Sequence, residues 1–549
     1  KRGQSGLLKS QHNKRPSGDD DTPQTSSKRK KGGEQQEPIN NGRADMFSPN
    51  KKFRTISRKA SQFIRGTLRN RADSFTDSSH HSLSEDSELA QEYSFKNQLV
   101  LQVVYGIMLF SQRRKLHASI AQWYERNHQD TISHYSSLLA YHWKLSEENN
   151  ESAAHYYALA GDQAILNFAN QEAVTFFLEA LQLQKKVRSS ERPSGLKKLN
   201  IFNKAEETND DAEWTLIHIC RKLGQCYYNL GQFNQARDYL KQSLKYLKLS
   251  LPSDVDDKVA LANPKTITKD FASVMVPGVH ARVKREVVLA LLTLSKLNYY
   301  ASYRPIASYC NVVALAISIE AQFWDEQCEA YALSIVTMGL AEQHSMASMY
   351  MELCNKLAMG QLTLQSQMHQ WSGLYYVSRS DWAQTKKSFL TAISTAEPTG
   401  DRRVLEENHI FFAFVCQLLG NYKTSLSASA KGLDSARLRG DASMQILALT
   451  CQVCCHITLG NLLKATAKLD QMRIALGFAE NTASKLAAET GDASSFMNYH
   501  SLKALLHLLK NEPVEALQHN RLAEDLIYAS QPTTFFTFPA YFAVPEVYL

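Results

Sequence analysis

Apolar residues recur along most of this chain at the three-to-four spacing of a helix with one buried face, without strand-like alternation. In the second half the pattern keeps step. Gly420 and Gly460 stand forty residues apart, Gly400-Asp401 returns as Gly440-Asp441 after another forty, and Gly491-Asp492 follows after a longer interval. A constant period of this length predicts paired helices stacked into a solenoid, an architecture used mainly to bind other molecules. Helix pairs are predicted at about 156–181, 220–244, 285–320, 322–357, 364–397, 404–437, 442–476 and 493–528, eight in all, winding as a right-handed superhelix. Polar, irregular connections are expected near 188–210 and 251–280. Helical periodicity begins near Tyr93, where Leu99, Leu101, Val103, Val104, Met108 and Leu109 outline one apolar helix face.

Residues 1–90 show almost no such period. They are rich in Ser, Gly, Asn, Gln, Lys and Arg, and are expected to be a disordered segment that cannot bury enough surface to offset chain entropy. This tail also changes the reading of charge. The chain carries a formal +8, but residues 1–90 hold 18 Lys/Arg against 11 Asp/Glu, which leaves the remainder near neutral. A neutral body argues against nucleic-acid binding by the folded part. Lys28-Arg29-Lys30-Lys31 is either a solvated charge run or a nuclear-import patch giving an otherwise cytoplasmic protein nuclear access. Ser57 and Ser61 each lie three residues after an arginine, and Ser74 follows Arg71 likewise. All three are candidate phosphorylation sites. The chain opens at Lys1 and ends at Tyr548-Leu549 without an initiator Met or a closing cap, and is expected to be an internal fragment.

Chemistry-bearing motifs are scarce. There is no Gly-Lys dipeptide, and hence no phosphate-binding loop, and no G-x-G-x-x-G, H-E-x-x-H or G-x-S-x-G. No apolar run is long enough to cross a membrane, and no signal peptide is evident. Nine cysteines are scattered at no disulfide-like spacing, which suits a reducing compartment. Cys451, Cys454, Cys455 and His456 are the best metal candidates, but within one apolar helix and without a second ligand pair they read as core thiols. His117 and His142 read as packing or hydrogen-bonding groups, and the aromatic stretches 299–303 and 535–542 as solenoid core. No catalytic, cofactor-binding or metal-binding residue is assigned.

Two resemblances refine this picture. Leu223-Gly224, Tyr227, Gly231, Phe233, Ala236, Leu240, Ser243 and Leu244 resemble the tetratricopeptide pattern, with Gly224 and Ala236 at the helix crossing and Cys220 where the pattern has Trp. Further upstream, Phe95-Lys96-Asn97, Val104-Tyr105, Leu109 through His117, Ile120-Ala121 and Trp123-Tyr124-Glu125 resemble the end of a winged-helix module. Leu139 through Trp143 and Ala160 through Ala164 resemble the first repeats that follow such a module in STAND-type ATPases. Among these the chain is most similar to the soluble adenylyl cyclase (adenylate cyclase type 10)-like members, which Ala543 through Leu549 also resembles.

The implied architecture is all-α: a disordered basic segment (1–90), a winged-helix end with adjoining helices (91–150), and a tetratricopeptide-like solenoid (151–549). The resemblance implies a parent in which cyclase domains and a P-loop ATPase lie upstream, converting ATP to cyclic AMP with divalent metals and bicarbonate activation. This chain would be its non-catalytic regulatory arm, binding a protein partner or the parent's own upstream domains. The alternatives are the same module serving a protein kinase or histidine kinase, or a stand-alone tetratricopeptide adaptor.

Overall fold

The computed structural model describes residues 95–190, 211–252, 255, 271, 273–274, 279–477, 493–530 and 534–549. Among these, all regular structure is helical. Helices α1 (Gln98–Ile107), α2 (Phe110–Asn127) and α3 (Ser136–Ser146) lead into eight antiparallel pairs. The pairs are α4/α5 (Asn150–Leu166, Asn170–Ser190), α6/α7 (Asp211–Asn229, Phe233–Tyr246) and α8/α9 (Ala281–Tyr300, Arg304–Ala321). Then come α10/α11 (Trp324–Leu340, His344–Leu357), α12/α13 (Leu362–Ser378, Trp382–Ala396) and α14/α15 (Arg402–Leu418, Tyr422–Arg439). The last are α16/α17 (Ala442–Thr458, Leu462–Leu476) and α18/α19 (Ala493–Leu509, Pro513–Ser530), followed by α20 (Phe538–Tyr548). The result is a tetratricopeptide-like α-solenoid. The candidate serines Ser57, Ser61 and Ser74, and the Lys28–Lys31 run, lie outside the described residues.

One turn is repeated in every pair. The residue two before each second helix has positive φ: Phe168, Gly231, Ser302, Glu342, Ser380, Gly420, Gly460 and Asn511. The next residue donates its N–H to the carbonyl five residues back, at 2.8–3.0 Å in all eight pairs. This 6→1 bond satisfies one of the carbonyls left open at the end of the first helix. The Gly-Asp marker has a separate origin. Gly400 and Gly440 adopt positive φ where the preceding helical element stops. Asp401 and Asp441 then accept N–H bonds as N-caps of α14 and α16.

Within a pair, a small residue admits a bulky one. A Cβ at Gly224 of α6 would stand 2.5 Å from Leu240 Cγ of α7, and one at Gly161 of α4 would stand 2.6 Å from the Phe177 ring of α5. The first helices also pack on one another from pair to pair and form the inner layer. From α8 onward that layer is closed. In α16 every residue from Cys451 to His456 is buried, whereas only three residues of α17 are. Phe535 and Phe536, in the turn before α20, complete the interior. Phe536 stacks on Tyr300 and Phe411 with ring centroids 6.2 and 6.3 Å apart. The core reading of the aromatic stretches holds for these rings but not for Tyr303, Phe538, Tyr541 and Phe542, which are exposed.

The closure depends on one superhelical turn touching the next. A Cβ at Gly231, between α6 and α7, would stand 2.7 Å from Asp441 Oδ1 at the start of α16. There two arginines reach across to the C-terminal carbonyls of α6. Arg403 Nη1 donates to Tyr228 O at 2.9 Å, and Arg439 Nη1 donates to Asn229 O. Cations placed at a helix C-terminus complement its dipole. Both arginines also donate to Asp441 Oδ2, at 2.6 and 2.7 Å. Arg403 pairs with Glu407 and Arg439 with Glu406, and all five side chains are buried.

Residues 95–125, where the end of a winged-helix module is expected, form α1 and α2, with no strand among the described residues there. Helix α2 packs on α3, and α3 on α4. Of the apolar face expected there, Leu99 to Val104 lie on α1 and Met108 and Leu109 in the turn after it, and no residue of α1 is buried.

Candidate groove on the inner face

An open cleft of about 710 Å3 lies where α4, α6 and α8 stand side by side. Helical periodicity places one stripe from each helix along it: Glu151, His155 and Asp162 from α4, Trp214 and His218 from α6, and Arg282, Arg285 and Glu286 from α8. Its floor is an ionic ladder across the three helices. His218 Nε2 faces Asp162 Oδ2 at 3.3 Å, and its Nδ1 faces Glu286 Oε1 at 3.2 Å. Only the imidazolium can donate from both nitrogens. Burial, which by itself lowers the His218 pKa, is therefore outweighed by these two hydrogen bonds, and the pKa is raised. Lys222 Nζ adds a 2.8 Å contact to Asp162 Oδ1, and Arg221 pairs with Glu286. Against the burial that would raise them, these partners hold the Asp162 and Glu286 carboxyls down at about 2.

The rim is aromatic and cationic. The Arg282 guanidinium lies 4.8 Å from the Trp214 ring centroid, and Arg285 donates to Glu326 at 2.5 Å. An extended segment laid here would meet aromatic surface, hydrogen-bonding groups and a floor with its charges already paired.

Other sequence candidates resolve differently. His117 and His142, read as packing or hydrogen-bonding groups, hydrogen-bond each other: their Nδ1 atoms are 2.7 Å apart, and Tyr105 Oη is 2.9 Å from His117 Nε2. Burial, with the neighbouring His117 adding to it, pushes the His142 pKa down to about 4. His500 and His519 make a second such pair, with Nδ1 atoms 3.0 Å apart. Cys451 and Cys455 face Ser425 Oγ at 3.1 and 3.3 Å within the core. Among the described residues no group of three or more His, Cys, Asp or Glu is placed to hold a metal ion. All nine cysteines are free and buried, and no described helix is long and apolar enough to cross a membrane. Sequence reasoning missed Trp214, His218 and Arg282. No local signal marked them, because Asp162, His218 and Glu286 stand at different depths in their helices and meet only through the packing of successive pairs.

No protein-family model matches the chain, and no curated protein matches it. Solved structures do. A Rap protein complexed with Competence and Sporulation Factor is 12% identical, covers 77% of this chain and 98% of its own, and superimposes with a TM-score of 0.45. A STAND protein with a tetratricopeptide repeat sensor from Pyrococcus horikoshii is 12% identical, with coverage of 84% and 66% and a TM-score of 0.36. Yeast Tom70 is 11% identical, with coverage of 80% and 96% and a TM-score of 0.30.

Proposed function

We propose that this chain is a protein-interaction adaptor that seats an extended segment of a partner on the α4–α6–α8 groove. The observation that carries the reading is the open cleft, whose floor charges are already paired with one another and whose rim presents Trp214 and Arg282. Downstream, the inner surfaces of the first helices are buried against one another and against Phe535 and Phe536, and a smaller cleft of about 450 Å3 opens among α13, α14 and α15. A groove with a paired floor and an aromatic rim favours recognition of an extended peptide.

The test is a phage-displayed peptide selection on the whole chain, followed by affinity measurement with Ser152→Trp, which fills the cleft. Selected peptides are expected to lose about tenfold or more in affinity, the effect of blocking one well-packed contact region. Binders indifferent to Ser152→Trp would sink the proposal.

A more specific form of the reading makes the chain the regulatory arm of a soluble-adenylyl-cyclase-like parent, with a kinase-linked parent as the competing output. It rests on the resemblance over residues 95–183, and the coding sequence upstream of Lys1 tests it. Paired cyclase domains and a G-x-x-x-x-G-K-[ST] loop would support it, and their absence would leave the adaptor alone.

A further inference from the structure

Helix α1 is the most anomalous surface of the molecule. Leu99, Val100, Leu101, Val103, Val104 and Ile107 are all exposed, Ile107 at 77%, and the following turn adds Leu109 at 66% and Phe110 at 76%. Soluble surfaces seldom present so many adjoining large apolar side chains unless something apolar covers them. A few polar contacts tie the helix to α2. Tyr105 bonds His117 of α2, and the Arg113 guanidinium donates to Gly106 O at 2.6 Å and Met108 O at 3.0 Å, capping the end of α1. Every residue of α1 except the half-buried Tyr105 is exposed, so its apolar side chains have no cover among the described residues.

Charge indicates what covers it. From Asn97 to Gln112 there is no charged residue, and the stretch is bracketed by Lys96 on one side and Arg113, Arg114 and Lys115 on the other. Of these, Arg114 is paired with Glu147 and Arg113 is held at the end of α1, so Lys96 and Lys115 are the cations left to meet a headgroup. A second copy docked face to face would bring two such cationic brackets together, which like-charge repulsion opposes. An anionic, apolar surface is complementary to both features at once.

We propose that α1 and its following turn dock the protein on an anionic lipid surface, with the helix lying in the interface and the flanking cations at headgroup level. Ten residues of helix extend about 15 Å, half the hydrocarbon thickness of a bilayer, so the element lies in the membrane plane and does not span it. The +7 balance of residues 1–90 adds to the attraction through long-range charge alone.

The experiment is vesicle flotation of the whole chain with phosphatidylserine-containing and pure phosphatidylcholine vesicles. It is run with the native sequence and with Ile107→Glu/Phe110→Glu, whose fold is checked by circular dichroism and thermal melting. Native protein is expected to float with the anionic vesicles, and the double variant to lose about a hundredfold in partition, because two large apolar groups no longer leave water. Three outcomes would overturn the proposal. One is no flotation. Another is flotation that the double variant retains and added salt removes, which assigns it to basic residues alone. The third is no flotation with a concentration-dependent dimer that the double variant breaks, which assigns the face to a second copy.

Discussion

Replacing Arg439 with Met tests whether the superhelix is held closed by the buried ionic cluster. The substitution keeps length and apolar bulk but removes the charge. It leaves Glu406, which is 1% exposed and takes three donations from Arg439, with only the Ser435 hydroxyl as donor, and it deprives Asn229 O of its donor. In the native cluster two arginines face three carboxylates, Glu406, Glu407 and Asp441. The variant leaves one cation against three. Removing one partner of a buried pair typically costs about 3–5 kcal/mol, most of it the desolvation of the charge left behind. Because the lost contact joins distant repeats, the cost should appear at both ends of it. Amide exchange of the α6–α7 turn and of the first turn of α16 is expected to accelerate by about two to four orders of magnitude. Hydrogen-exchange mass spectrometry reads this directly, and small-angle scattering should show a larger radius of gyration. Adding Glu406→Met should recover much of the loss, since apolar replacement of both partners is often close to neutral. Unchanged exchange at Leu230–Gln232 in Arg439→Met would refute the idea that the cluster holds the turns together.

Further predictions concern the pair geometry, the turns and pH. Gly224→Ala places a Cβ 2.5 Å from Leu240 Cγ and should destabilise by about 1–3 kcal/mol in denaturant titration, with Leu240→Ala added to it costing less than the two single changes summed. Glu342→Gly relaxes an exposed non-glycine residue at φ 58° and should raise stability by up to about 1 kcal/mol; a lowered melting temperature would contradict this. The raised His218 pKa means that its contribution is complete below the unfolded-state value of 6.5 and is lost as pH rises through the folded value. Exchange at α6 should therefore increase on the alkaline side, and His218→Gln should flatten that dependence.

The pairs were legible in the sequence because their turns obey a local rule, and the rule was visible only where glycine writes it. Gly231, Gly420 and Gly460 announced the positive-φ position. Phe168, Ser302, Glu342, Ser380 and Asn511 occupy the same position without a signal, since each non-glycine residue is held there by its 6→1 bond and by packing. The cluster was illegible for a different reason. Arg403 and Arg439 meet α6 across 175 and 210 residues, and nothing in a window of one or two helices encodes that meeting. The apolar residues expected to form one face there are split, Leu99 to Val104 on α1 and Met108 and Leu109 in the turn after it, and a hydrophobic period is the same whether it turns toward a core or away from one.

The closed interior has a consequence for where a partner can enter. A ligand of micromolar affinity gains about 8 kcal/mol on binding. Entry between α6 and α16 would first have to break the Arg403–Arg439–Asp441 contacts, and a cost of about 3–5 kcal/mol would weaken such a ligand to roughly the millimolar range. The groove on α4, α6 and α8 carries no such penalty. Its Asp162–His218–Glu286 ladder is complete before anything binds, and the Arg282 guanidinium already lies on Trp214. Preorganisation therefore favours the first three pairs, and the distant contact that closes the superhelix is what makes them the easier entrance. If so, Arg439→Met should leave affinity for groove-selected peptides unchanged while exposing new, weaker sites downstream. A loss of affinity at the groove itself would show instead that the two regions are mechanically coupled.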